Sequence, residues 1–174
     1  MKDTLRLILF LQCNMKCSYC CNEQEQFSSQ FIEMYFKDID FSKYKNVCLS
    51  GGEPFLRKSI LYSAMYKIPR SKQIFIYTNG LRINNEDIKK LKKYKNLTCL
   101  NIGLHTLRQL SSINRNIDRE LPVRFMVRDI NYRRILNLYP DRLNESNLKA
   151  WTLNECNMPN EDWVLLKDLR EWVY

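Results

Sequence analysis

The apolar positions of this chain fall into short compact runs separated by stretches with helical spacing. Leu5–Leu11 is an apolar run of strand length and reads as a buried strand. Asn46–Ser50, Gln73–Thr78, Leu97–Leu104, Val123–Val127 and Leu148–Leu153 read as five more. Phe31, Met34, Tyr35 and Asp38 recur at helical intervals behind Ser28 or Ser29 as N-cap, which predicts a helix over Ser28–Asp38. Ile60, Leu61, Ala64 and Met65 share one side of a helix over Arg57–Lys67. Asn84 or Asn85 caps another that runs through Lys93, and Tyr132–Tyr139 forms a further one. Asn160 caps a last helix over about 160–173, carrying Trp163, Leu166, Leu169 and Trp172.

Six strand-then-helix units predict an α/β fold, a partial (β/α)6 barrel of parallel strands joined by right-handed crossovers. Ligands in such sheets bind at the carboxyl ends of the strands. The distinctive short motifs all fall there. Three cysteines follow the first strand, and Gly51-Gly52-Glu53-Pro54 follows the second. Tyr77-Thr78-Asn79-Gly80 closes the third, and His105 follows the fourth. Arg128 ends the fifth, and Asn154-Glu155 follows the sixth. The topology therefore gathers them onto one rim, as one candidate site.

At 174 residues the chain holds one domain with a sizeable core. Only 4 Gly and 5 Pro leave no linker, so 1–174 reads as a single domain. The apolar run at 5–11 is too short to span a bilayer and lacks a cleavage site, which predicts a cytoplasmic protein with no membrane partner. Seven cysteines in a reducing compartment point to metal more than to disulfides. Cys48 and Cys99 lie inside strand-like runs and read as small buried hydrophobes. Trp151, Trp163 and Trp172 read as core residues. The net charge of +9 predicts an acidic partner. The lysines at 89, 90, 92, 93 and 95 read as a solvated helix face, whereas the arginines of the later half suit phosphate or carboxylate.

Cys13-Asn-Met-Lys-Cys17-Ser-Tyr-Cys20 carries the most chemistry. A structural zinc site wants four ligands in two separated pairs, and no second pair is present. A redox pair of Cys17 and Cys20 leaves Cys13 unexplained. Three thiolates on one loop instead suit three irons of a 4Fe–4S cluster and leave the fourth iron open. This C-x3-C-x2-C spacing, followed by Gly51-Gly52-Glu53-Pro54 and Thr78-Asn79-Gly80, resembles the radical S-adenosylmethionine (SAM) family over roughly residues 5–155.

The resemblance implies a 4Fe–4S cluster on Cys13, Cys17 and Cys20, with SAM on the open iron. It implies a SAM pocket drawn from Tyr19, Gly51, Gly52, Glu53, Pro54, Thr78, Asn79, His105, Arg128 and Asn154. Gly51, Gly52 and Glu53 would hold the SAM amino group, and His105 would face the ribose unless it is only a structural histidine. The resemblance further implies an oxidoreductase or lyase that cleaves SAM and takes hydrogen from an anionic small molecule, a nucleotide or a nucleic-acid base. An electron donor such as flavodoxin or ferredoxin would feed it. The alternatives within the family are a glycyl-radical activase, like the activator of anaerobic ribonucleotide reductase, and a peptide-modifying enzyme. Both would act on a protein substrate. A non-catalytic metal-binding or nucleic-acid-binding module has only the lysine cluster in its favour and lacks aromatics interleaved on strands.

Overall fold

The computed structural model describes residues 2–24, 28–152 and 160–167. Eight strands form one sheet in the order β2-β8-β1-β3-β4-β5-β6-β7, every neighbouring pair parallel. They are β1 Thr4–Ile8, β2 Ile32–Met34, β3 Asn46–Ser50, β4 Gln73–Thr78, β5 Leu97–Leu104, β6 Val123–Arg128, β7 Leu148–Trp151 and β8 Glu161–Leu166. The helices are α1 Lys58–Lys67, α2 Asn85–Leu91, α3 Ile117–Glu120 and α4 Tyr132–Leu138. The six predicted strands stand in chain order as β1, β3, β4, β5, β6 and β7. The sheet is not closed, because β2 and β7 are its edges.

Two predicted helices are replaced by strands. Within 28–38 the chain forms β2 and then a 3-10 turn at Phe36–Asp38. Glu161–Leu166 is likewise a strand, where the helix over 160–173 was expected; Leu169 and Trp172 lie outside the described residues. Trp163 and Leu166 keep helical spacing in sequence, yet 163–166 is also a compact apolar run that a buried strand accepts. Tertiary pairing decides between the two. The outer edge of β1 would otherwise expose unpaired backbone groups, and β8 covers it from Thr4↔Glu161 to Ile8↔Leu165. β2 then pairs with β8 from Ile32 to Met34, and Phe31 stacks on Trp163 at 5.5 Å.

Period two sorts the strand residues onto two faces. Leu5, Leu7, Val47, Leu49, Ile74, Ile76, Leu100, Ile102, Phe125, Val127, Val164 and Leu166 join one apolar core with Ile60, Leu61, Ala64 and Met65 of α1 and Ile88 and Leu91 of α2. The alternate residues Arg6, Tyr77, Asn101, Gly103, Met126 and Trp163 line a cavity on the other face. Cys48 and Cys99 also alternate with these core residues and are buried as expected. Burial pushes the Cys48 thiol up to about 12. Asn84 caps α2 through a reciprocal capping box with Asp87.

The ladder between β1 and β3 continues past the strands themselves. Leu9 N donates to Ser50 O at 3.0 Å, Gly52 N to Phe10 O at 2.7 Å, and Glu53 N to Gln12 O at 2.8 Å. Gly51 takes φ +133°, which side chains rarely adopt, and a Cβ on Gly52 would stand 1.8 Å from Gln12 O. A Gly52→Ala variant is expected to lose about 2 kcal/mol or more of unfolding free energy, because backbone rather than a movable side chain blocks the methyl. Urea denaturation reads this, and an unchanged midpoint would show that the two segments are not so tightly joined.

Candidate active site

The cavity, about 240 Å3, opens at the carboxyl ends of the strands. Cys13, Cys17, Tyr19, Cys20, Gly51, Gly52, Glu53, Thr78, Asn79 and His105 all line it, as the topology predicts. Pro54 does not, being buried at the start of a 3-10 turn over Pro54–Leu56. Arg128 does not line it either; its guanidinium lies 4.9 Å from the centre of the Tyr19 ring, behind the cavity wall. Asn154, expected to join the set, lies outside the described residues.

The cysteine loop is held from several sides. Asn79 Nδ2 donates to Asn14 Oδ1 at 2.9 Å, which ties the loop to the end of β4. Asn22 donates to the carbonyl of Gly51. The Tyr19 hydroxyl lies 3.2 Å from His105 Nδ1, and the Tyr19 ring meets Trp151 edge-on at 5.8 Å. Glu53 is 1 % exposed and turns inward. Its carboxylate accepts from Phe55 N at 3.0 Å, Thr78 Oγ1 at 2.7 Å and Asn79 N at 2.7 Å. Desolvation raises its pKa, against the pull of these three donors. Glu53 thus locks the second loop to the third, a task its place in the motif did not reveal.

The three thiols suit a multi-iron cluster. All face one cavity, which Gly51 and Gly52 also line. Among the described residues, no three His, Cys, Asp or Glu side chains converge on a point where one ion would sit. A cluster needs no such convergence, since each sulfur takes its own iron. The backbone N–H of Met15 already donates to Cys13 Sγ at 3.4 Å. Burial raises the Cys13 thiol, and burial with the neighbouring cysteines pushes Cys17 up to about 11. Bound iron reverses that balance by stabilising the thiolates. Cys21 is disulfide-bonded and does not compete as a fourth ligand.

Several residues of the site gave no signal in the sequence. Arg6 is 5 % exposed and donates through Nε and Nη2 to Glu161 at 2.6 and 3.1 Å. Its guanidinium lies 4.3 Å from the Tyr77 ring centre and 5.2 Å from that of Trp163. Trp151 and Trp163 line the cavity instead of serving as plain core. Gln109 is buried and satisfied at both ends. Its Oε1 accepts from His105 N at 2.7 Å, while Nε2 donates to the carbonyls of Asn79 and Gly103, each at 2.7 Å. Gln109 therefore fixes the ends of β4 and β5 relative to each other.

A sequence model of the radical SAM superfamily matches residues 7–173. A GTP 3′,8-cyclase of Clostridium perfringens is 31% identical over 117 residues, covering 62% of this chain and 36% of its own. A Methanocaldococcus jannaschii protein named as a glycyl-radical enzyme activating enzyme is 36% identical over 98 residues, covering 54% of this chain and 40% of its own. The chain thus spans well under half the length of these relatives. The crystal structure of Streptococcus suis SuiB superposes with a TM-score of 0.50 at 15% identity, over 94% of this chain and 48% of that one, a likeness of fold.

Two outcomes follow from the geometry. Gln109→Leu leaves the Asn79 and Gly103 carbonyls and the His105 N–H unpaired in the interior. At about 1–3 kcal/mol per buried orphan, partly relaxed, a loss of roughly 3 kcal/mol in urea unfolding is expected; a loss below about 1 kcal/mol would mean that water replaces the clasp. Burial holds the His105 imidazole below its ordinary range. Its neutral form is favoured by folding, so this contribution is complete above about pH 6.5 and is lost as pH falls through the lower folded value. Unfolding measured from pH 7.5 to 5 should show that decline, and His105→Gln should flatten it; equal slopes would show that folding does not shift the His105 titration.

Proposed function

The chain belongs to the radical SAM superfamily, whose members use a 4Fe–4S cluster and SAM, and from this we propose that it is an enzyme abstracting hydrogen from an anionic small molecule or nucleotide. The observation that carries the reading is the meeting of Cys13, Cys17 and Cys20 with Gly51, Gly52, Asn79 and His105 around one cavity. When bound, the cluster supplies one electron that cleaves SAM to methionine and a 5′-deoxyadenosyl radical, the hydrogen abstractor.

The residues of the chain do the holding and orienting. Cys13, Cys17 and Cys20 would ligate three irons. The backbone at Gly51-Gly52 lines the cavity and would meet the amino-acid end of SAM, and Thr78 and Asn79 border the same space. His105, neutral and set by Tyr19 and Gln109, offers a ring nitrogen to a ribose hydroxyl. Tyr19, Trp151, Met126 and Trp163 exclude water from the radical.

The anion is best assigned to Arg6. Among the described residues no arginine of the later half lines the cavity, and Arg142 is spent on Asp118 and on the carbonyls of Leu110, Ile113 and Asn114. Arg6 lines the cavity, and Glu161 takes two of its five N–H donors. A nucleotide or carboxylate headgroup fits the remaining donors between two aromatic faces. The likeness to a GTP 3′,8-cyclase supports this class. Activation of a partner protein is the second reading, favoured by 36% identity to the protein named for glycyl-radical enzyme activation.

Anaerobic reconstitution with iron and sulfide should give about four irons per chain. With SAM and a reductant it should release 5′-deoxyadenosine, and Cys17→Ala should abolish both. SAM cleavage undiminished in that variant would refute the ligand assignment. Deuterium passing from a labelled nucleotide into 5′-deoxyadenosine would favour the small-molecule reading, and a glycyl radical on a partner enzyme would favour the activase.

A further inference from the structure

We infer that the strand-start end of the sheet, opposite the cavity, is a docking surface for single-stranded nucleic acid. Lys45 immediately precedes β3, Lys72 immediately precedes β4, and Lys93 and Lys95 lead into β5. These strands are consecutive neighbours in the sheet. With strands about 4.8 Å apart, the three starts form a row roughly 10 Å long. One backbone and one side-chain hydrogen bond tie the row together: Gln73 N donates to Lys45 O at 3.1 Å, and Asn96 Nδ2 donates to Lys72 O at 3.0 Å. The chain writes Lys-Tyr-Lys-Asn at 43–46 and again at 93–96, once at each end of the row.

The row is electrostatically open. Lys45, Lys93 and Lys95 are exposed and Lys72 is half-buried. Among the described residues these four enter no ion pair, whereas Lys43 and Lys92 are matched by Asp40 and Glu120. Asp3, whose carbonyl accepts from Lys45 N, directs its carboxylate to the Thr4 hydroxyl. Helix α1 runs back from the cavity end, so its last turn stands beside the row. There Tyr66 is 81% exposed, the most exposed large hydrophobic side chain among the described residues, with exposed Arg70 shortly after it.

Unpaired lysines and one exposed aromatic ring at the same end of the sheet point to the occupant. Phosphates are neutralised by lysine without sequence reading, and a base stacks on an exposed ring only when it is free of a duplex. An acidic protein face is a poorer match, because lysine is depleted from protein interface cores. A donor of electrons to the cysteine loop has no reason to bind here: the six residues of β4, at about 3.3 Å each, put roughly 20 Å between the two ends.

The test is fluorescence anisotropy of a mixed-sequence 20-nucleotide RNA with the full reconstituted chain. Four phosphate contacts at a single-strand slope of about −0.7 each predict roughly 50-fold weaker binding at 200 mM than at 50 mM salt. Replacing Lys45, Lys72, Lys93 and Lys95 together by Gln should remove that salt dependence. Tyr66→Ala should weaken the single strand about 10-fold and leave a duplex of the same sequence unaffected. Thermal unfolding, unchanged in both variants, is the fold control and is independent of SAM chemistry, so this surface and the proposed reaction stand or fall separately. Equal binding by wild type and the lysine variant overturns the proposal. So does a Tyr66→Ala variant that still prefers the single strand as wild type does, or binding to anionic phosphatidylglycerol vesicles with none to RNA.

Discussion

Everything at the cavity depends on a close backbone approach. The segment 10–12 and the segment 51–53 run on beyond β1 and β3 as a continued ladder, and two successive glycines let them touch. That contact sets where the cysteine loop leaves the sheet. Glu53, the next residue, carries the constraint onward through its buried carboxylate to Thr78 and Asn79. Asn79 returns it to the cysteine loop through Asn14. Three loops that are far apart in sequence become one rigid rim before any ligand arrives, and preorganisation of this kind lets a site bind without ordering itself first.

The second organising fact is the two-faced sheet. The strands between the two edges of the sheet give alternate residues to the core and to the cavity, so the core and the site are made from the same short segments. This explains how a fully buried cation such as Arg6 is tolerated on β1. Its neighbours in sequence, Leu5 and Leu7, complete the core, while Arg6 itself finds Glu161 across the β1–β8 pair and two aromatic faces. A lone buried charge would be expensive, and the carboxylate partner and the two rings offset part of that cost. Tyr77, Asn101, Met126 and Trp163 reach the cavity by the same alternation.

Much of this was legible in the chain. Six apolar runs gave six parallel strands, because a strand buried on both faces needs a compact apolar segment whatever its neighbours are. The rim was legible for the same reason: βα loops must all lie at one end of a parallel sheet, so motifs placed after strands must meet. The edge was not legible. Residues 28–38 and 160–166 carry helical spacing, and only the unpaired backbone of β1, and then of β8, selects the strand.

The sequence by itself therefore determined that the three cysteines share one loop and on which side of the sheet that loop lies, because cysteine spacing and strand order are local properties of the chain. Tertiary structure alone decided the partners of each side chain. It turned Glu53 into a clasp, put Arg128 behind Tyr19, brought Arg6 to Glu161 across 155 positions of chain and made Gln109 the hinge-pin between two strand ends. Such pairings rest on distances across the sheet, and those exist only once the chain has closed its long-range contacts.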